Sequence, residues 1–193
     1  MVQPVDTVVD DPYEMNRIRI AGKQMTELFH TKDCTIKRIE QADLQSTLEV
    51  YRQVEDFLSL GPVPKASMEM VLADIKHSKE SGGLFCVINN QNGTQIGVLD
   101  FVPETSKGVA CLSLLMISQK YRHQGNGQAV LNNLELYLKQ YYGTHTIESG
   151  VQTNNNAGIE FWKRCGFEIG HVAKAMNDGT VVYDMKKNLI DST

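Results

Sequence analysis

The segment that most restricts the fold is "GVACLSLLMIS" (Gly108 to Ser118) followed by "QKYRHQGNGQAVLNNL" (Gln119 to Leu134). A nearly all-apolar run of strand length suits a strand buried on both faces. It passes through a turn with two glycines, Gly125 and Gly127, into a helical pattern marked by Val130, Leu134, Leu138 and Tyr141. Helix N-termini carry unpaired N–H groups and a partial positive charge, so bare backbone at such a junction suits an anion, above all a phosphate. Gly125 and Gly127 leave the main chain open to close approach, and Arg122 adds a cation able to fork onto phosphate oxygens.

Three known signatures of this kind are absent. A dinucleotide fingerprint needs glycine or alanine where Val130 stands. A P-loop needs GK followed by Ser or Thr, and the one GK pair, Gly22-Lys23, is followed by Gln24. A nucleophile elbow needs glycine two residues before Ser149, where Ile147 stands.

The remaining pattern predicts alternating elements. "CTIKRIE" reads as a strand, and "QADLQSTLEVYRQVEDFL" as a helix with Leu44, Leu48, Tyr51 and Val54 on one face. "SLGPVPKAS" breaks it, and Ser67 caps a second helix ended by Gly82 and Gly83. Asn92-Gly93 joins two strands as a hairpin. "HTIESGV" is a strand, "NNAGIEFWKRC" a short helix ended by Gly166, and strands near Phe167–His171 and over "TVVYDMKK" close the chain. Residues 13–29 show helical periodicity through Met15, Ile18, Met25, Leu28 and Phe29. We divide the chain into an N-terminal extension with helical periodicity, 1–32, and a single domain, 33–193. The expected fold class is α/β (α+β): a mixed, mostly antiparallel sheet of about six or seven strands flanked by helices.

A formal charge of −4 without any Lys/Arg block excludes a broad nucleic-acid face, so anion binding has to be local. Cys34, Cys86, Cys111 and Cys165 form no CxxC pair and read as buried free thiols. The five histidines lack ligand spacing, so no metal is expected. No apolar run approaches the roughly 20 residues of a membrane span, and the acidic start has no signal-peptide character. The expectation is a cytoplasmic protein without membrane or nucleic-acid partners, monomeric or homodimeric.

Downstream, "VQTNNNAGIEFWKRCGF" (Val151 to Phe167) sets an Asn cluster, a short helix and a Gly-Phe turn 28 residues beyond the glycine loop, measured from Gly127 to Asn155. Together the two segments resemble the GNAT superfamily of N-acetyltransferases. The resemblance covers roughly residues 34–186, with specific motifs over 110–167. It implies direct acetyl transfer from acetyl-CoA, as co-substrate, to an amine of a small molecule or protein. It places the pyrophosphate on His123, Gln124, Gly125, Asn126, Gly127 and Gln128 with Arg122 nearby. The pantetheine arm falls along Met116 and Ile117, and the Ile117 N–H becomes the thioester's oxyanion donor. Asn155 anchors the arm from the other side, and Trp162 stands where a tyrosine is common.

Two departures bear on catalysis. An indole N–H is no useful proton source, so Trp162 cannot replace the tyrosine that protonates the thiolate in many family members. By register with the family pattern, Ser113 occupies the place of a strand glutamate. Asp100, Glu104 and Glu148 are the acids within reach of the cleft, and Tyr183 is a possible donor; Glu148 and Tyr183 are the residues chosen as catalytic, with Ile117. A second reading, a CoA-binding regulatory or interaction module with weak or no catalysis, stays open. "LSLGPVPKAS" and "AKAMNDGT" are the expected acceptor-specificity elements.

Overall fold

The structure, a computed structural model, describes residues 26–189. Eight strands form one sheet in the order β1-β2-β3-β4-β5-β6-β8-β7. They are β1 (Glu27–His30), β2 (Cys34–Arg38), β3 (Leu84–Asn90), β4 (Gln95–Ser106), β5 (Val109–Ile117), β6 (Thr146–Gln152), β7 (Glu168–Ala175) and β8 (Val181–Asn188). The helices are α1 (Leu44–Arg52), α2 (Glu55–Leu58), α3 (Met68–Glu80), α4 (Asn126–Tyr142) and α5 (Asn156–Arg164). Every neighbouring pair is antiparallel except β5 and β6. That pair is joined through α4, as a parallel connection requires.

The sheet has eight strands, not six or seven. The added one, β1, takes up Leu28 and Phe29 from the segment read as helical; its ring pair Phe29–Tyr137, 5.4 Å between centroids, places it under α4. The rest of that periodicity lies outside the described residues. The single helix expected over 41–58 is a 3-10 turn (Gln41–Asp43) followed by α1 and α2, broken at Val54, which leaves the helical region with φ −122° and ψ 23°. Other expectations hold: Ser67 Oγ accepts from Met70 N–H at 3.2 Å to cap α3, and Gly93 turns the β3–β4 hairpin at φ +76°.

Two apolar layers cover the sheet. Val130, Leu131, Leu134, Tyr137 and Leu138 of α4 and Trp162 of α5 pack on one face. Leu48, Tyr51 and Val71 of α1 and α3 pack on the other with Val98 and Met116. Tyr137, not the exposed Tyr141, completes the α4 stripe. Truncating such a core leucine costs about 2–5 kcal/mol.

One irregularity positions everything that follows. Asp100 of β4 faces Leu114, while Phe101 faces Leu112, so Ser113 is an extra residue in β5. A bulge of this kind bends its strand and increases the local twist. Pairing of β5 with β6 is confined to Val109–Cys111 against Thr146–Glu148. Beyond that point the two strands separate, and β5 is not buried on both faces as its composition suggests: Ala110, Leu112 and Met116 are buried, while Val109, Cys111, Leu114, Leu115 and Ile117 are partly buried and Ser113 is exposed.

Candidate active site

The separation leaves one edge of β5 open. Ser118 N–H donates to the Ile96 carbonyl at 2.8 Å. Antiparallel alternation then directs the main-chain groups of Met116 and Leu114 to β4, and those of Leu115 and Ile117 away from it. Met116 is therefore set in the β4 ladder with a buried side chain, whereas Ile117 offers its N–H to the cleft. Leu115, which sequence reasoning missed, has the same orientation. Its only signal was its spacing of two from Ile117. At the apex of the fork, Ser149 Oγ donates to the Leu112 carbonyl at 2.5 Å.

β5 runs through a 3-10 turn (Gln119–Tyr121) into the glycine loop. His123 and Gly125 both take left-handed backbone, φ 60° and 83°. Gly125 is the N-cap of α4 and supplies no side-chain cap. The first bond of the helix ladder runs from Ala129 N–H to the Gly125 carbonyl at 2.9 Å, so the N–H groups of Asn126, Gly127 and Gln128 lie ahead of it. The side chains here are held by neighbours. Asn126 Nδ2 donates to the Tyr121 carbonyl at 2.9 Å, Gln124 Nε2 to the Lys120 carbonyl at 2.9 Å, and Gln128 Nε2 to Asn132 Oδ1 at 2.8 Å. Cys165 Sγ donates to Gln128 Oε1 at 3.0 Å, and burial pushes this thiol up, keeping it a protonated donor. Gly127 has a second role: a Cβ there would stand 3.3 Å from the Phe161 ring.

The other predicted residues are placed as follows. Arg122 turns its guanidinium to Asp56, Nη1 to Oδ2 at 2.5 Å and Nη2 to Oδ1 at 3.0 Å, with Nε on the Ile117 carbonyl at 2.9 Å. The Asp56 carboxyl is held below the usual carboxylate range by that guanidinium. Asn155 caps α5, its Oδ1 accepting from Gly158 N–H at 2.8 Å. Trp162 is 9% exposed and meets Phe161 and Phe167 edge-on at 4.9 and 5.2 Å. Its indole belongs to the core.

Glu148 and Tyr183 are not brought together. Glu148 is exposed on β6 between Cys111 and Lys186 in register. Tyr183 faces Val151 and packs against the α4/α5 core. The alternation along β6 puts residues 148 and 151 on opposite faces. Asp100 is buried, not solvated, and accepts from Ser78 Oγ at 2.5 Å; burial pushes its carboxyl up. Asp74 beside it accepts from the Tyr51 hydroxyl at 2.7 Å and is likewise pushed up by burial. This polar cluster lies under α1 and α3, and no spacing in the sequence announces it.

The two expected specificity segments meet. Residues 60–62, 153–154 and 178–181 line a cavity of about 340 Å³. Asn154 Nδ2 donates to the Leu60 carbonyl at 3.1 Å across it. Asp178 is its charged residue, its carboxyl held low by the Thr180 N–H. Among the described residues no cluster of metal-ligating side chains occurs, and no helix is long and apolar enough to cross a membrane.

The sequence and the fold are similar to those of known proteins. The chain is 26% identical over 174 residues, 87% of this chain and 73% of the relative, to an uncharacterized N-acetyltransferase of Methanocaldococcus jannaschii. The fold is similar to that of spermidine N-acetyltransferase from Vibrio cholerae in complex with CoA and spermine, at TM-score 0.64 and 17% identity over 80% of this chain and 95% of that one. It is also similar to PaiA N-acetyltransferase from Thermoplasma acidophilum in complex with coenzyme A, at TM-score 0.60 and 22% identity over 80% and 98%. Residues 47–167 match the model of the Acetyltransferase (GNAT) family, and the chain belongs to that family.

Proposed function

We propose that this acetyltransferase moves the acetyl group of acetyl-CoA directly to a primary amine. The observation that carries the reading is the start of α4, where a 17-residue helix leaves its first N–H groups without a side-chain cap at the end of an unpaired strand edge. The pyrophosphate binds the main chain from His123 to Gln128, where the helix field favours an anion. The pantetheine arm, rich in amides, pairs along the open edge of β5. The thioester oxygen takes an edge N–H, that of Ile117 or, one repeat deeper, of Leu115. Asn155, with Oδ1 used by its own helix, offers Nδ2 to the arm.

Positioning supplies much of the rate. The departing thiolate has a Cys-like pKa near about 8.5 and leaves without a strong acid, which fits a core Trp162 in place of a donor. The acceptor ammonium, pKa about 10.4, has to lose a proton first. Glu148, exposed beside the fork, takes that proton through water. The acceptor enters by the cavity between residues 60–62 and 178–181, where Asp178 favours a cationic molecule.

Calorimetry with CoA, ATP and NAD tests the cofactor: CoA binds and the others do not. Thiol release from acetyl-CoA across a panel of amines tests the transfer. ATP binding without a response to CoA would overturn the reading. CoA binding with no release for any amine would favour a binding module instead.

A further inference from the structure

Arg122 sits where the glycine loop begins, yet its guanidinium is turned toward the acceptor side. Nε holds the Ile117 carbonyl, and both Nη atoms hold Asp56. Asp56 belongs to α2, and the hydrogen bonds of α2 continue without interruption into the cavity wall. Ser59 N–H donates to the Glu55 carbonyl at 2.9 Å, Leu60 N–H to Phe57 at 3.0 Å and Gly61 N–H to Leu58 at 3.0 Å. The Leu60 carbonyl in turn accepts from Asn154, next to the residue that caps α5. A continuous path of hydrogen bonds thus joins the loop, the β5 edge, the wall of the cavity and the far end of β6.

We propose that Arg122 is a positioning residue, not a phosphate ligand: paired with Asp56, it holds the acceptor-cavity wall in register with the open edge of β5. A bidentate guanidinium–carboxylate pair fixes orientation as well as distance. With Nε committed to Ile117 and the fork committed to Asp56, the same group cannot present a fork to pyrophosphate without releasing one of them. The anion then relies on main-chain N–H groups. A lysine at 122 would not substitute, because an ammonium has no planar fork. This proposal rests on the cofactor and acceptor sides assigned under the proposed function.

The test compares wild type with Asp56→Asn, which leaves the loop itself intact, using CoA as probe. Asp56 is half exposed, so the variant folds. Calorimetry measures CoA affinity, and hydrogen exchange followed by mass spectrometry reads residues 57–62. CoA Kd should stay within about threefold. Exchange in 57–62 should quicken about threefold or more, the scale of a well-aligned surface pair, while α4 is unaffected. Asp56→Glu should restore part of the protection. A Kd tightened about tenfold or more would show that Asp56 and pyrophosphate compete for Arg122, and would overturn the proposal. Unchanged exchange in 57–62 would overturn it too. Failure of the wild type to bind CoA would count against the proposed function, and exchange in the two unliganded proteins would still decide the role of Arg122.

Discussion

Helices α4 and α5 follow the two strands that separate, and they begin in opposite ways. At α5 the Asn155 side chain caps the helix, accepting from Gly158 N–H at 2.8 Å. At α4 the cap residue is Gly125, with no side chain to offer. An Asn cap satisfies donors that would otherwise need water. A glycine cap keeps those donors available and lets the chain adopt the left-handed turn that aims them outward. The difference separates a helix start that serves the fold from one that we propose receives the ligand. The same contrast holds for two acids near the fork: Asp100 is buried and bonded to Ser78, while Glu148 is exposed.

The largest test of this contrast is Gly125→Val. Its φ of +83° is strained for any branched residue, although no atom lies within 4 Å of an added Cβ. We expect CoA affinity to fall about a hundredfold, about 2.7 kcal/mol, against about 1–2 kcal/mol of stability. Calorimetry and thermal melting read the two separately. Gly127→Val should lose both quantities together, since its side chain meets Phe161, and overpacking of this kind costs about 1–3 kcal/mol. Melting that is unchanged for Gly127→Val would remove Phe161 from the account.

Asn155→Ala should show the reverse profile. Loss of the cap costs about 0.5–2 kcal/mol of stability by denaturant unfolding, and CoA affinity should fall less than it does for Gly125→Val. An equal fall would mean that both helix starts serve the coenzyme. Between the acids, Glu148→Gln should lower the acetylation rate less than about tenfold, under about 1.4 kcal/mol, because water shares the proton transfer. A thousandfold loss would make Glu148 a dedicated base.

Asp100→Asn should leave its mark on the pH dependence of stability. A carboxyl raised by burial holds its proton in the folded state over a range where the unfolded chain has lost it, so the wild type loses stability as pH rises from about 4 through the folded value. Asp74 and His77 of α3, Tyr51 of α1 and Cys111 of β5 stand near this site, and Asp74, likewise raised by burial, adds to the same pH dependence. The variant keeps an acceptor for Ser78 without the charge. Its melting temperature should therefore exceed that of the wild type above the folded value, and the difference should vanish near pH ~4. A variant that melts lower at every pH would show that the carboxylate is stabilising.

The sequence made the glycine loop, the hairpin at Gly93 and the Ser67 cap legible because each depends on residues adjacent in the chain. It named the two specificity segments but not their meeting, since 60–62 and 178–181 come together through the fold. The bulge at Ser113 left no signal: one extra residue in an apolar strand does not change its composition, yet it falls where β5 and β6 part. The pairing of Arg122 with Asp56 could not be read locally, because the two residues are 66 positions apart. Trp162 stood at a motif position, and only its packing on Phe161 and Phe167 shows that its ring serves the core.

The most direct test of the central claim is to follow the backbone amide resonances of the two helix starts by NMR while adding CoA and, separately, pantetheine. Pantetheine has the arm but lacks the pyrophosphate. The account predicts that CoA shifts the amides of Asn126, Gly127 and Gln128 strongly downfield, that pantetheine leaves them in place, and that Gly158, already bonded to Asn155, moves little with either. Equal shifts at Gly158, or a response of residues 126–128 to pantetheine as large as to CoA, would contradict the assignment of the uncapped start of α4 to the pyrophosphate.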